Sequence, residues 1–156
     1  MGKPISLSKL KRNIWLLGKF KIPILGFTNP KLVSINEDEV VMKIKLRRRT
    51  KNHLNSMYFG ALAVGADTAA GIHAYYLGVE KGLNLSLAFK SCKAEFIKRA
   101  ETDITFVCKE GRKITQQMET SQSTGERQNE DIFVEAFNTK KEIVATFVMT
   151  LSLKVK

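Results

Sequence analysis

The sequence predicts an α+β domain in which an antiparallel sheet wraps around one long apolar helix. Small and apolar residues fill positions 57–79, where they show no strand-like alternation. After residue 85, four segments alternate apolar with polar residues, as half-buried strands do. A single apolar helix followed by a run of strands favours this arrangement over alternating βαβ units.

Length and composition fit one globular domain. The 156 residues are 44% hydrophobic and 26% charged, which excludes a disordered or collagen-like chain. No repeat divides the chain, so we treat 1–156 as one domain with a helical extension over 1–28. The two cysteines, Cys92 and Cys108, are too few for a disulfide framework, and a reduced, cytoplasmic protein is the simplest interpretation.

The N-terminal extension is predicted to contain an amphipathic helix over 6–20. Its apolar residues recur at helical spacing, at Leu7, Leu10, Ile14 and Leu17. Pro23 breaks the chain soon afterwards. The helix is basic and carries Trp15, so peripheral contact with a membrane surface is one interpretation. Packing on the outer face of the sheet or across a ligand pocket is the favoured one.

Two strands are predicted before the central helix and four after it. Their positions are 31–35, 40–46, 85–99, 103–109, 132–137 and 143–153. The alternation over 85–99 is imperfect, which indicates a β-bulge. A polar segment over 111–130 is expected to contain a short helix near 114–120.

The central helix, predicted over 57–79, contains repeated glycines and one carboxylate. Each glycine costs a helix about 1 kcal/mol, so another element is expected to pack against them too closely for side chains. Asp67 argues against a membrane span, because an Asp at mid-membrane costs about 2.5–3.5 kcal/mol. A carboxylate buried in such a helix needs a partner or a raised pKa. Asp67 is therefore a candidate catalytic group, with a structural Asp satisfied by amides or hydroxyls as the alternative.

A spaced motif leads into the central helix. Asn52 is followed after five residues by Tyr58-Phe59-Gly60 and, after six more, by Asp67 within an Ala-Asp-Thr-Ala-Ala-Gly segment. This motif resembles the active-site segment of the hotdog-fold acyl-CoA thioesterases, particularly the phenylacetate-pathway type. Their pattern is Asn, five residues, His-Gly-Gly, six residues and Asp on the central helix. The order of predicted elements agrees with that fold over about residues 31–155.

The resemblance implies a hotdog fold, a homodimer or tetramer, and an active site between two subunits. It also implies an acyl-CoA or related acyl thioester as substrate, with coenzyme A as part of the substrate and no separate cofactor. Asp67 would act as general base or nucleophile, and Asn52 would position the water or the carbonyl. The backbone N–H of Phe59, beside Gly60, would polarise the thioester carbonyl.

Two residues depart from the family pattern. Tyr58 stands where the family usually has His, and Phe59 where it has the first Gly. Tyr58 can donate a hydrogen bond but cannot relay protons near neutral pH. Phe59 keeps a backbone donor, although its ring would crowd an acyl group. A non-catalytic acyl- or ligand-binding hotdog protein is therefore the alternative, and the chain resembles hotdog domains of unassigned function at least as closely.

The net charge of +11, from 26 basic and 15 acidic residues, indicates a polyanionic partner. A basic run directly before Asn52 suits the phosphates of coenzyme A at a pocket mouth, with a solvated strand end as the alternative. The run consists of Arg47, Arg48, Arg49 and Lys51, and further substrate-binding candidates are His53, Asn55 and Lys90. Nucleic-acid binding is the second alternative function, disfavoured because no zinc-finger, RNP-type or basic-region pattern is present.

No metal site is predicted. His53 and His73 are the only histidines, and neither has a Cys or acidic neighbour at metal-ligand spacing. His73 lies six residues after Asp67, on a different face of the helix, and is expected to pack in the core.

Overall fold

The computed structural model describes residues 4–156, and residues 1–3 lie outside the described part of the chain. The first helix α1, Leu7–Leu16, continues into a π-helical turn, Leu17–Lys21, and is followed by α2, Pro23–Thr28. The other helices are α3, Phe59–Glu80, and α4, Gly111–Thr124. The strands are β1, Lys31–Ile35; β2, Val40–Ile44; β3, Leu85–Phe96; β4, Ile104–Cys108; β5, Gln128–Phe137; and β6, Ile143–Val155.

The six strands form one antiparallel sheet in the order β1-β2-β4-β5-β6-β3. One face of the sheet meets α3, and the strands alternate accordingly. In β4, for example, Ile104, Phe106 and Cys108 are fully buried, whereas Thr105 and Val107 are half-buried. The predicted architecture, a sheet with one long central helix, is therefore confirmed.

Small residues let α3 lie close to the sheet. Ala66, Ala69 and Ala70 are completely buried along the helix. A Cβ atom on Gly65 would clash with the Phe106 ring, so this β4 residue occupies the space that a side chain would need. The predicted reason for a glycine in the helix, close packing of another element, holds at this position. No helix within residues 4–156 is long and apolar enough to cross a membrane.

The predicted bulge in the long strand is confirmed and falls at Lys90. Phe89 pairs with Leu151 and Ser91 with Thr150, so Lys90 is the extra residue between two consecutive pairs. The bulge reverses the side-chain alternation of β3. The residues that face α3 are Leu85, Leu87 and Phe89 before the bulge, and Cys92, Ala94 and Phe96 after it. This reversal explains why the sequence alternates imperfectly.

The two edge strands of the sheet differ. β1 has five residues, and the N-terminal helices pack beside it. β3 has twelve residues, pairs only with β6, and carries mostly exposed side chains beyond its bulge. α3 runs antiparallel to β3, because the Phe59 ring lies near Phe96 while Gly78 lies near Leu85. Within residues 4–156, the side of the molecule formed by β3 and α3 therefore has no strand beyond it.

The predicted N-terminal helix is present, but its packing differs from the expectation. Leu10 and Ile14 are buried as predicted, whereas Leu7 is 41% exposed. α1 contacts β1 and α3 on the inner side of the sheet, with Asn13 Nδ2 donating to Tyr75 Oη at 3.4 Å, so packing on the outer face was wrong. α2 was not predicted, because Pro23 looked like a break, whereas it occupies the first turn of a helix, where proline is well tolerated.

Candidate functional site

A hydrogen-bonded turn after β2 positions the loop that leads into α3. The hydroxyl of Thr50 is buried, donates to the Lys45 carbonyl at 2.8 Å and accepts from the Arg47 N–H at 2.9 Å. These bonds satisfy backbone groups that would otherwise lack partners where the strand ends. The turn fixes the direction in which the chain continues toward Asn52.

Asn52 organises the next turn. Its side-chain oxygen accepts from the N–H of Leu54 at 2.9 Å and from the N–H of Ser56 at 3.1 Å. That oxygen is committed to the loop, so the side-chain NH₂ is the group of Asn52 that remains for a ligand. His53 and Asn55 are both exposed on this turn, and Asn55 adopts a left-handed backbone with φ 60°.

Arg99 clamps the same loop from outside. Its guanidinium donates from Nη2 to the Leu54 carbonyl at 2.7 Å and from Nε to the Ser56 hydroxyl at 3.1 Å. Sequence reasoning missed both Arg99 and Thr50 as supports of the site. Arg99 lies more than 40 residues from its partners, and only the fold brings them together.

The start of α3 presents backbone N–H groups. The N–H of Tyr58 donates to the Thr50 carbonyl at 2.8 Å, and no side chain caps the helix. Among residues 4–156, no group accepts from the N–H of Phe59 or of Gly60. Unpaired amides at a helix start carry partial positive charge and attract a polarised or anionic oxygen. This position can therefore bind a carbonyl oxygen.

An aromatic surface surrounds these amides. Tyr58, Phe59 and Phe96 are 49%, 59% and 53% exposed, although each packs against its neighbour. The ring centroids of Tyr58 and Phe59 are 4.7 Å apart, and those of Phe59 and Phe96 are 6.4 Å apart. Exposed aromatic rings grouped in this way mark a contact for an apolar ligand or for another subunit.

Asp67 lies on a stripe of α3 that the protomer leaves uncovered. We call this the open stripe; it consists of Gly60, Val64, Asp67, Gly71 and Tyr75, which follow helical spacing and are exposed or half-buried. Among the described residues, no hydrogen bond or ion pair reaches the Asp67 carboxylate. The expectation of a buried Asp67 is therefore wrong for the single chain, because β3 is an edge strand and no described residue covers α3 beyond it.

The surroundings of Asp67 nevertheless change its acidity. Although its side chain reaches solvent, neighbouring protein atoms partly desolvate the carboxylate, and this raises its pKa above the ordinary value of 3.8. Partial burial raises the pKa of the Cys92 thiol on β3, and the nearby Asp67 charge raises it further. The carboxylate thus remains unpaired and is less acidic than a fully solvated one.

The structure separates the predicted catalytic residues into two groups. Asn52, Tyr58, Phe59 and Gly60 gather at the start of α3. Asp67 follows Phe59 by eight residues, which is about 12 Å along the helix axis. One thioester cannot contact the Phe59 amide and the Asp67 carboxylate of the same chain at once.

The basic run lines a cleft on the other side of the loop. Arg47, Arg48 and Arg49 are exposed and border a cavity of about 570 Å³ together with Phe27, Lys31 and Lys45. The Arg49 guanidinium lies 5.4 Å from the centroid of the Phe27 ring. Lys51 is exposed beside this cleft and bridges to Met57 through the backbone.

Lys90 does not join the basic run. It occupies the bulge of β3, whereas Arg47–Arg49 follow β2, and three strands, β4, β5 and β6, lie between β2 and β3 in the sheet. Its position between Phe89 and Cys92 puts Lys90 level with Asp67 along the helix.

His73 lies on the closed side of α3, as predicted. It is fully buried, and its Nε2 atom is 3.0 Å from the Asn36 carbonyl oxygen. Burial lowers its pKa below 6.5 and favours the neutral ring. Within the described part of the chain, no cluster of three or more His, Cys, Asp or Glu side chains could hold a metal ion.

Comparison with protein families shows to which family the chain belongs. The model of a family described as Domain of unknown function (DUF4442) matches residues 11–153. The chain belongs to this family. A comparison with curated proteins finds no match.

Solved structures share the fold of this family member over nearly its whole length. A protein of unknown function from Chlorobaculum tepidum has a TM-score of 0.83 at 12% identity, covering 98% of this chain and 99% of that one. A protein of unknown function from Pseudomonas aeruginosa, termed a probable thioesterase, has 0.81 at 17% identity and covers 100% of both chains. A thioesterase from Haemophilus influenzae has 0.68 at 11% identity, covering 99% of this chain and 94% of that one. These likenesses confirm the predicted hotdog fold.

Proposed function

We propose that this protein hydrolyses acyl thioesters, with acyl-CoA as the substrate class, in a pocket shared by two copies of the chain. The observation that carries the proposal is the Asp67 carboxylate, which is unpaired, has a raised pKa and lies in the middle of the open stripe. A carboxylate in this state can accept a proton from water, because a carboxylate with a raised pKa is a stronger base than a fully solvated one. The similar folds of proteins termed thioesterases support the same reaction class.

Two copies would complete the site. A two-fold axis that lays two α3 helices antiparallel, with the β3 edges side by side, brings Asp67 of one chain toward Phe59 of the partner subunit. Phe59 and Asp67 of one chain are about 12 Å apart along the helix axis. In the antiparallel pair, each end therefore combines the helix start of one chain with the Asp67 carboxylate of the other. The long unpaired edge of β3 supports this dimer, and a tetramer would be built from two such pairs.

Each group then has a role in hydrolysis. The Phe59 N–H, aided by that of Gly60, stabilises the oxygen of the tetrahedral intermediate. Asp67 takes a proton from water while the water oxygen bonds to the thioester carbon. The C–S bond then breaks, the proton passes to the leaving sulfur, and a carboxylic acid and a thiol are released. Alternatively, Asp67 attacks the carbon directly, and the C–S bond breaks to release the thiolate and leave an anhydride. Water then hydrolyses the anhydride, which releases the carboxylic acid, regenerates the Asp67 carboxylate and supplies the proton that the thiolate takes up.

Polar and apolar groups around these atoms would bind the rest of the substrate. The side-chain NH₂ of Asn52 and the hydroxyl of Tyr58 are donors beside the helix start, and the aromatic surface suits the acyl group. The cleft of Arg47, Arg48 and Arg49, with Lys51, His53 and Asn55 beside it, suits the phosphates of coenzyme A. Lys90, which lies level with Asp67 and away from the arginine cleft, would contact a different part of the substrate. A cytoplasmic location agrees with the intracellular occurrence of acyl-CoA.

A specific observation favours the second candidate, a non-catalytic acyl-binding protein. The Phe59 ring lies directly at the helix start and packs between Tyr58 and Phe96. A glycine in the same place would leave that volume open to the reacting carbonyl. In this alternative the pocket binds an acyl group whose carbonyl stays too far from Asp67 for hydrolysis.

Hydrolysis of a panel of acyl-CoAs by wild type and Asp67→Asn separates these functions. Loss of the general base is expected to lower kcat about 10²–10⁴-fold, while the melting temperature does not fall because a neutral amide is easier to desolvate. Asp38→Asn is the matched control, since Asp38 is exposed and forms only a 3.5 Å surface ion pair with Arg112. Equal, measurable rates for wild type and Asp67→Asn would refute the catalytic role of Asp67, whereas no hydrolysis by either protein would leave a binding protein.

The coenzyme A assignment has its own test. Replacement of Arg47, Arg48 and Arg49 by Gln is expected to raise KM more than it lowers kcat, because phosphate contacts bind ground state and transition state alike. The same variant should hydrolyse a short thioester without a nucleotide as well as the wild type does. A loss of equal size on both substrates would contradict phosphate binding by the cleft.

A further inference from the structure

The outer surface of the N-terminal hairpin, residues 7–28, is unusually apolar. Of the 17 large apolar side chains exposed within residues 4–156, seven belong to these 22 residues, so they are strongly concentrated. The most exposed are Trp15 at 53%, Phe20 at 68%, Ile24 at 55% and Phe27 at 54%. The thioester site uses none of these side chains except Phe27, at the edge of the basic cleft.

These side chains are exposed although the hairpin is tightly packed inside. Leu10, Ile14 and Leu25 are buried and attach the hairpin to the domain. The π-helical turn meets α2 backbone to backbone, because a Cβ on Gly18 would lie 2.7 Å from the Gly26 nitrogen. This contact holds the two segments of the hairpin together. Trp15 borders an open cavity of about 670 Å³ and Phe20 another of about 400 Å³, so neither side chain is covered by the core.

The hairpin is also purely cationic. All of its charged side chains are basic and exposed: Lys9, Lys11, Arg12, Lys19 and Lys21. None of them forms an ion pair with another described residue, and the first acidic residue of the chain is Glu37. Lys19 Nζ lies 4.8 Å from the Trp15 ring centroid and 5.3 Å from that of Phe20, so charge and rings share one surface.

We propose that this hairpin docks the protein on the surface of an anionic phospholipid bilayer. The aromatic and aliphatic side chains would enter the headgroup region, and the five cations would contact lipid phosphates. A second copy of the chain would fit poorly, because it would bring five unpaired positive charges against another five. An anionic bilayer offers lipid phosphates to the five cations and an apolar interior to the exposed aromatic and aliphatic side chains.

Trp15 is the only tryptophan, so its fluorescence reports on this surface alone. The full-length protein is mixed with phosphatidylcholine vesicles that contain either no anionic lipid or about one third phosphatidylglycerol. Trp15 emission should move to shorter wavelength with the anionic vesicles, brominated acyl chains should quench it, and high salt should reverse the shift. Emission that stays unchanged at saturating anionic lipid would overturn the proposal.

Paired variants test the apolar and the cationic parts. Phe20→Ser with Ile24→Ser keeps the reporter and should weaken vesicle binding about tenfold or more. Val33→Ser with Phe133→Ser, at exposed apolar positions on the sheet, is the matched control and should bind as the wild type does. Lys9→Glu with Lys11→Glu and Lys21→Glu should abolish the preference for anionic vesicles. Circular dichroism verifies that each variant is folded.

Two outcomes would refute bilayer docking by this hairpin. One is equal weakening of vesicle binding by the control pair. The other is a Trp15 shift that grows with protein concentration without lipid, which would show that a second copy covers the surface. Neither readout uses thioester hydrolysis, so the result is independent of the proposed enzymatic function.

Discussion

The two sides of α3 differ in how far the protomer covers them: one side is buried against the sheet, and the other is left exposed. On the closed side, Ala66, Ala69 and His73 are fully buried, and the imidazole has an acceptor 3.0 Å away on another segment. On the open stripe, Asp67 is exposed, and no described side chain or amide binds its carboxylate. Both polar residues belong to the same helix, six positions apart.

The difference arises from the sheet and not from the helix sequence. The closed side faces the middle strands, whereas the open stripe lies over β3, which has no further neighbouring strand in the described part of the chain. On the closed side, the Nε2 atom of His73 has its partner within its own chain, while Nδ1 is buried without a partner among the described residues. A polar group on the open stripe is left for a ligand or a second subunit, which is where chemistry can occur.

A charge placed on the open stripe should break assembly without unfolding the protomer. Val64→Arg would bury an unpaired cation between two α3 helices, and we expect it to weaken association at least about 10²-fold. Light scattering should give about twice 17.6 kDa for the wild type and about 17.6 kDa for the variant. Gln116→Arg, on an exposed position of α4, is the control and should remain dimeric. A wild-type mass of 17.6 kDa at micromolar concentration would contradict the shared pocket.

The same alanine substitution on each side of α3 should have opposite consequences for stability. On the closed side, Gly65→Ala forces the buried Phe106 ring to move and should cost about 1–3 kcal/mol of unfolding free energy. On the open stripe, a Cβ on Gly71 meets only Phe89, at 3.9 Å, so Gly71→Ala should be neutral or stabilising by up to about 1 kcal/mol. Urea unfolding measures both. Equal losses would mean that a second chain packs against Gly71 as closely as Phe106 packs against Gly65.

The sequence predicted the fold well because periodicity reports on burial. All six strands and the central helix lie where alternation and small residues indicated, and even the bulge was expected. The exceptions have local causes. α2 was missed because Pro23 can end one helix or begin the next, and α4 extends well beyond 114–120 because its polar residues hide the helical pattern.

The site was predicted less completely, since its geometry depends on sheet order. The motif correctly grouped Asn52, Tyr58 and Phe59 at one helix start, since they are neighbours in the chain. It could not reveal that Asp67 is uncovered, because that follows from β3 being an edge strand. Lys90 was named as a further candidate from the long strand, and the fold indeed places it in β3, away from the arginine run.

The closed side should make stability depend on pH through His73. Its lowered pKa means that the unfolded chain binds a proton more readily, so unfolding free energy should fall as pH falls below 6.5. His73→Gln should remove this loss, although the variant starts less stable because a buried ring is replaced. His53→Gln, at an exposed imidazole, should keep the wild-type slope. Thermal melting measured below pH 6.5 tests this prediction. If the stability of His73→Gln still falls with pH as the wild type does, another group causes the dependence.

The open stripe should give the opposite slope, and it is the smallest effect expected. Desolvation raises the pKa of Asp67 above 3.8, so the folded protein binds this proton more tightly than the unfolded chain does. Its contribution to stability is therefore present below pH 3.8 and lost as pH rises through the folded pKa. Measured against wild type, Asp67→Asn should become relatively more stable with rising pH, whereas Asp38→Asn should not.

The same proton should control the reaction. If Asp67 is the base, kcat/KM should rise with pH through a pKa above 3.8, since only the carboxylate form accepts a proton from water. In the wild type, the rise of kcat/KM with pH (the activity limb) and the Asp67-dependent change in stability (the stability slope) should then occur in the same pH range. Asp67→Asn should lose both together, and Asp38→Asn should keep both. An activity limb that persists in Asp67→Asn would assign the base to another group, even if the stability slope disappeared as expected.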